Sequence, residues 1–322
     1  QRAMDKGYDA SGCDHLCPLP FALTSHFPSP MPASRKLIKS RIKSVKNTRK
    51  ITKAMELMAA SKMRRAVAAV LRTRPYVRLA QETIEAVRAR LGESTTHPLL
   101  ASGRGDRELV VLFTSDRGLA GGFNVNMIRF ALEKMKGMHD VDIIAVGKRG
   151  SDAMQRTKKN VVASFVELGN APKYADIVPV ARLALDGFTN GKYRRVHLVY
   201  TDYVSGVSQV PTATVVLPYG EWEKRGTKRE NEGGSEYTIE PNPETLLSTV
   251  IPNLVMTSFF QALLESSASE HAARMIAMKN ASDSAGEMME NLTFTYNQVR
   301  QAAITQEIAE ISSGKAALET ND

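Results

Sequence analysis

The sequence predicts an α/β protein in which a small domain with a largely parallel sheet is flanked by two long helices able to pair as a coiled coil. Three observations lead there. From Ala33 to Arg74 there are 42 residues without glycine or proline. From Asn253 to Ser313 there is no proline and one glycine, Gly286. Between these segments, apolar runs of strand length alternate with stretches of helix length. At 6% the aromatic content is thin for an all-β sandwich, while 43% hydrophobic and 24% charged residues over 322 positions suit a packed core and argue against global disorder. The unbroken apolar runs are short, such as Ala66–Leu71 and Leu109–Phe113. No stretch of the ~20 residues needed to cross a bilayer is expected, so the chain reads as soluble.

Residues 1–33 hold five prolines and three aspartates against two basic residues. Organellar presequences are Arg-rich and acid-poor, and secretory signals carry an apolar stretch, so neither pattern fits. We expect a non-native or disordered extension over 1–33, with Met31 as the natural start. Cys13 and Cys17 are the only cysteines, and with His15 they fall short of the roughly four ligands a zinc ion needs. No metal is expected, and no disulfide holds the core.

The first long helix is expected over 34–92. Its Ala, Lys, Arg, Met and Leu content favours helix, and Ile38, Ile42, Val45, Ile51, Met55, Met58 and Val67 recur mostly in steps of three and four. The last helix is expected over 244–322. There Met275, Met278, Ser282, Ala285, Met289, Leu292, Tyr296, Val299 and Ala303 alternate steps of three and four without a break, a heptad seam with small residues that permit close approach. Charge supports pairing. The net charge is +9, but residues 34–65 carry twelve Lys/Arg against one acid, Glu56, while residues 265–322 carry nine Asp/Glu against four Lys/Arg. The basic face points to an acidic partner, and part of it can be answered by the chain's own C-terminal helix.

Between the helices, 107–218 reads as a Rossmann-like α/β domain. Strands are expected at 108–113, 142–146, 161–166, 196–200 and near 212–217, with helices near 123–136, after Gly147-Lys-Arg-Gly150, and near 174–190. Residues 219–243 read as a charged connection. The turn after the first strand contains Gly118-Leu-Ala-Gly-Gly122, which is not GxGxxG, and no Gly-Lys-Ser/Thr follows. Its glycines are read as allowing a tight turn and close packing, and no cofactor is expected. The six histidines (15, 26, 97, 139, 197 and 271) are scattered and form no HExxH. His197 and His271 read as structural, and nothing recommends an enzyme.

Three blocks resemble one family. Ser44–Met55 with Ala60–Arg65, Thr114-Ser-Asp-Arg-Gly-Leu-Ala-Gly-Gly-Phe-Asn124, and Ser269–Met278 followed by Tyr296–Glu307 are similar, in the same order, to the gamma subunit of F-type ATP synthases. The likeness covers roughly residues 32–318. It implies a non-catalytic rotor shaft: an antiparallel coiled coil inside a ring of alternating alpha and beta subunits, with the α/β domain as a foot on the epsilon subunit and the ring of c subunits. Proton flow through that ring would drive rotation. It further implies beta-subunit contacts at Met55, Arg274, Gln301, Thr305 and Glu307, and c-ring contacts at Tyr237 and Glu240 within Tyr237-Thr-Ile-Glu-Pro241. Arg274 stands out because a guanidinium on a small-residue helix can grip a partner's carboxylate. Ala120 occupies a position where many members of that family have cysteine, and the paired-cysteine insertion of plastid members is absent. A start at Met31 without a presequence favours the cytoplasmic face of a bacterial inner membrane over an organelle. The rival readings are a nucleic-acid-binding coiled coil with 34–65 laid along phosphates, and a nucleotide-binding α/β enzyme. The acidic C-terminal helix has no purpose in the first of these, and no nucleic acid is expected as a partner.

Overall fold

The computed structural model describes residues 35–91, 98–101, 103–138, 140–169, 172–219 and 243–319. The expected extension over 1–33, the connection apart from Tyr219 and Pro243, and both Tyr237 and Glu240 lie outside the described residues. The chain divides into two compact units: Ser40–Phe294, and the two ends up to Lys39 and from Thr295.

The larger unit is built on a five-stranded sheet. In chain order it comprises the long helix α1 (Arg35–Leu91, of which all but the first five residues belong here), β1 (Arg107–Phe113), α2 (Phe123–Met135), β2 (Val141–Val146), α3 (Lys148–Arg156), β3 (Asn160–Phe165), α4 (Tyr174–Thr189), β4 (Tyr193–Tyr203), β5 (Gln209–Leu217) and most of α5 (Pro243–Glu319). The strand order is β3-β2-β1-β4-β5. The first four are parallel, with Val110 opposite Ile143 and Val111 opposite Leu198 in register. β5 is the exception. Five residues, 204–208, return the chain from β4 into an antiparallel edge strand, too few for a crossover helix.

Each face of the sheet is covered. Leu109, Val111 and Phe113 of β1 join a core with α4 and with Leu247, Ile251, Leu254, Val255 and Phe259 of α5. Val110 and Leu112 point the other way, onto Met127, Ala131 and Met135 of α2 and Met154 of α3. Burial on both faces explains why the central strands read as continuous apolar runs rather than alternating ones.

The long helices continue through prolines that local rules would take as helix ends. Pro75 lies inside α1 and Pro252 inside α5. Each proline removes one ladder hydrogen bond and costs about 3 kcal/mol in a helix interior. The flanking Val70, Val77, Ile251 and Leu254 are buried, so packing offsets that cost. In the larger unit the two helices run antiparallel: Arg49 lies against Gly286, while Arg74 reaches Glu265. All nine expected seam positions of α5 are buried or half-buried. On α1, Ile38, Ile42, Val45, Met55 and Val67 are covered as expected, but Ile51 and Met58 are 61% and 57% exposed, and the covered line takes in Thr52, Ala59, Ala66 and Val70. In the smaller unit Ile38 is buried and Arg35 pairs with Glu307 at 3.6 Å.

From Gln261 to Ala272 every residue of α5 is buried. A helix covered on all sides is a core helix. This corrects one expectation, because α5 carries a window of mean hydropathy 1.4, apolar and long enough to span a bilayer by composition alone. Half of that window is buried inside the protein.

Candidate functional site

In doubly wound sheets, ligands bind beyond the carboxyl ends of the strands, where the strand order reverses. Here that point lies between β1 and β4, and α5 occupies it. The Ser269 hydroxyl donates to the Thr201 carbonyl of β4, the Ser267 hydroxyl donates to the Gly169 carbonyl beyond β3 at 2.8 Å, and the Arg274 guanidinium lies 3.4–3.5 Å from the carbonyls of Arg117 and Gly118 beyond β1. Three strand ends are tied to about two turns of one helix.

The glycine-rich turn is shaped to accept that helix. Ser115 and Asn124 close it, with the Asn124 amide donating to Ser115 Oγ at 2.7 Å and the Ser115 hydroxyl donating to the Arg117 carbonyl at 2.6 Å. Asp116 fastens it to its neighbours by accepting from the backbone amides of Lys148 at 3.0 Å and Glu167 at 2.9 Å. Gly121 adopts a positive φ of 56°, and a β-carbon there would stand 3.5 Å from that of Ala277. Glycine is needed at 121 for the backbone of the tight turn, while its distance to Ala277 is an ordinary packing contact.

Arg274 is the electrostatic centre. Its side chain is 12% exposed and pairs with Glu270 at 2.7 Å. Burial raises the Glu270 carboxyl above its ordinary range, an effect that Arg274 and Lys62 oppose and Asp116 reinforces. His271, 3.4 Å from Arg274, is lowered to about 4 by burial and by the nearby Arg274 and Lys62 cations, so it is neutral at physiological pH. The outward grip expected of Arg274 is thus mostly turned inward, onto the chain's own turn. His197 lies 2.7 Å from Glu108 within the sheet. Among the described residues, no cluster of three His, Cys, Asp or Glu could hold a metal.

The other expected contact residues fall in two places. Met55 is half-buried on α1 in the larger unit. Gln301, Thr305 and Glu307 are exposed in the smaller unit, where Gln301 and Thr305 share a face through the Thr305 hydroxyl donating to the Gln301 carbonyl. Glu307 turns toward Arg35, an exposed pair of little energetic worth. Sequence reasoning missed Ser267, Ser269, Glu270 and Asp116 as the residues that seat α5. The available signal was Glu265-Ser-Ser-Ala-Ser-Glu270, a polar string inside a segment that packing demands be buried.

Comparison with known proteins decides what this arrangement belongs to. A family model described as ATP synthase matches residues 34–318. The gamma chain of Herpetosiphon aurantiacus is 42% identical over 298 residues, covering 89% of this chain and 99% of that one. The gamma chain of Roseiflexus castenholzii is 40% identical over 297 residues with the same coverage. The chain belongs to the ATP synthase gamma chain family. Among solved structures, a chain from the central stalk and c-ring of the Tetrahymena thermophila mitochondrial ATP synthase is similar with 29% identity, a TM-score of 0.53, and coverage of 72% of this chain and 99% of that one. A chain from a Euglena gracilis mitochondrial ATP synthase shares the fold, with a TM-score of 0.62 over 89% of this chain and 95% of that one, at 21% identity. A gamma chain is the non-catalytic central rotor subunit of a membrane-associated complex, and its role is to couple rotation to catalysis carried out elsewhere. The nucleic-acid reading is not favoured by any of these likenesses.

Proposed function

We propose that α5, seated in the sheet's ligand crevice and paired with α1, is the member through which the α/β domain turns the shaft inside the alpha and beta subunits. The observation that carries this reading is the fastening of α5 to the ends of β1, β3 and β4, since a shaft must not slip in its foot. Met55, Gln301 and Thr305 contact beta-subunit loops, Glu307 does so beside Arg35, and Arg274 does so through the part of its guanidinium left uncovered. Tyr237 and Glu240 contact the c-ring, with epsilon beside the foot. One asymmetric shaft cannot touch three beta subunits alike, and the different contact free energies bias each toward a different conformation. The site of action is the cytoplasmic face of a bacterial inner membrane. Bacterial gamma chains at 39–42% identity support this over an organelle, against 29% for the ciliate mitochondrial chain.

The reading is tested by co-purification. Ile51, Leu57 and Met58 of α1 and Ile304, Ile308 and Ile311 of α5 are exposed apolar residues that partners should cover. Expressed alone, the chain should aggregate, and co-expression with alpha and beta subunits should return it as a soluble complex. A well-behaved monomer that ignores those subunits would overturn the reading.

Arg274→Glu sets a second carboxylate against Glu270 and withdraws the donor from the turn. Breaking a buried pair of this kind costs about 3–5 kcal/mol. Assembly should survive because the core beneath α5 is intact, while ATP hydrolysis by the complex should fall severalfold. Arg274→Lys, which keeps the charge without the fork, should recover part of it. Unchanged turnover in Arg274→Glu complexes would remove Arg274 from the contact set.

A further inference from the structure

Three elements of the larger unit meet at a buried carboxyl that the shaft's other contacts do not use. Glu265 lies in the buried stretch of α5, and its side chain is 5% exposed. Its Oε1 accepts from Gln261 Nε2 at 2.8 Å and from Arg74 Nε at 3.4 Å. Its Oε2 is buried, and among the described residues no donor reaches it. The Asp202 carboxyl, near the end of β4, faces Glu265 across the same Arg74 guanidinium. Arg74 spans the site, lying 3.5 Å from Asp202 Oδ1 and donating to the Tyr203 carbonyl at 2.8 Å. The Thr73 hydroxyl donates to Gln261 Oε1, which fixes the amide so that its NH2 faces Glu265.

Two ionised carboxylates offer only acceptors to one another, and Oε2 would be left buried without a donor. One added proton on Oε2 resolves both problems, because it gives that oxygen a hydrogen to donate and removes one of two like charges beside Arg74. We propose that Glu265 carries a proton beside the Asp202 carboxylate, and that this pair, bridged by Arg74, is a pH-sensitive latch holding α1 and α5 to strand β4. Among the described residues, the groups facing Glu265 are Arg74 from α1, Asp202 from β4, and the neutral Gln261 from α5 itself. When the proton leaves for solvent, a new negative charge is set beside Asp202 across a guanidinium that is itself 40% exposed.

Burial, with Asp202 adding to it, raises Glu265 from 4.5 to about 7, while Gln261 and Arg74 pull the other way. The folded chain therefore binds this proton more tightly than the unfolded chain does. The stability it contributes is complete below about 4.5 and is lost as pH rises through about 7. The latch is closed in mildly acidic surroundings and slackens above neutrality. It stands independently of which subunits touch the shaft.

The test uses the assembled complex in which this chain alone carries 13C, so that its carboxyl stretch is resolved by infrared spectroscopy from those of its partners. A protonated carboxyl titrating with a midpoint near 7 is expected in the parent chain and should be absent from Glu265→Gln. In that variant the introduced amide stays neutral at every pH, so the contact no longer depends on a titrating proton. Backbone hydrogen exchange at 200–203 and 261–269, corrected for the intrinsic rate, should therefore rise above neutrality in the parent and stay flat in Glu265→Gln. If Glu265→Gln does not assemble, Asp202→Asn decides, because removing the neighbouring charge should bring the midpoint down toward the ordinary carboxylate range. The latch is overturned by a parent spectrum without such a carboxyl, by its persistence in Glu265→Gln, or by an unmoved midpoint in Asp202→Asn.

Discussion

A disulfide joining Thr305→Cys on α5 to a cysteine in a beta-subunit loop is expected to stop ATP turnover, leaving only the activity of the uncrosslinked fraction. Thr305 is exposed and its hydroxyl donates to the Gln301 carbonyl of its own helix, so within this chain the substitution costs a local hydrogen bond. The bond would tie the shaft to the ring that surrounds it. A second disulfide, between α1 and α5 at covered seam positions, joins parts that turn together and should leave steady turnover largely unchanged. Both need Cα atoms roughly 4.4–6.8 Å apart. The background from this chain is simple to clear, because Cys13 and Cys17 are its only cysteines. Reduction should restore the first variant and leave the second as it was. Steady turnover in the first, with crosslinking near completion, would mean that the shaft need not revolve.

Gly147→Ala should be the most damaging single-methyl change in the α/β domain. Gly147 precedes α3 with φ 103° and ψ 136°, a region that L side chains rarely adopt. A β-carbon there would stand 2.2 Å from the Thr114 carbonyl oxygen, which is backbone and cannot swing aside. Thr114 is itself held, its amide donating to the Val146 carbonyl at 2.8 Å and its Oγ1 accepting from the Gly150 amide at 2.9 Å. Backbone strain of about 1–3 kcal/mol and a comparable overpacking term add to about 2–6 kcal/mol. A fall of roughly 10 °C in the melting midpoint corresponds to that loss. Gly137→Ala is the control, because among the described residues nothing lies within 4 Å of its β-carbon position. It should change stability by no more than about 0.5 kcal/mol. Equal melting curves for the two variants would show that the Thr114–Gly147 contact relaxes without cost.

The strands were legible because burial on two faces forces apolar runs, and Leu109–Phe113 and Ile143–Val146 are such runs. The α5 seam was legible because its apolar and small residues keep one unbroken alternation. The α1 seam was legible only in part. Counting apolar side chains selects Ile51 and Met58, but the helix turns Thr52 and Ala59 inward and leaves those two outside. Arg49 lies on the backbone of Gly286, where no side chain opposes it, so polar residues occupy places that a hydrophobic count skips. Less of the site could be read. The block containing Arg274 was identifiable, but its inward pairing was not. Ser267 and Ser269 bond to carbonyls 98 and 68 residues away, and contacts that distant leave no local pattern. The same holds for Glu265, whose partners Arg74 and Asp202 come from two other elements.

The seating of α5 across three strand ends has a mechanical consequence. Its anchor points beyond β1, beyond β3 and on β4 belong to a run of four parallel strands whose ladder hydrogen bonds lie across the strand direction. A pull transmitted along those strands loads whole rows of bonds in shear, so that many must fail together. A pull at a sheet edge would instead peel them one at a time. A crevice of the kind that elsewhere admits a small ligand has become a splined socket, and the yield strength of the coupling is set by the sheet's interior rather than by its rim.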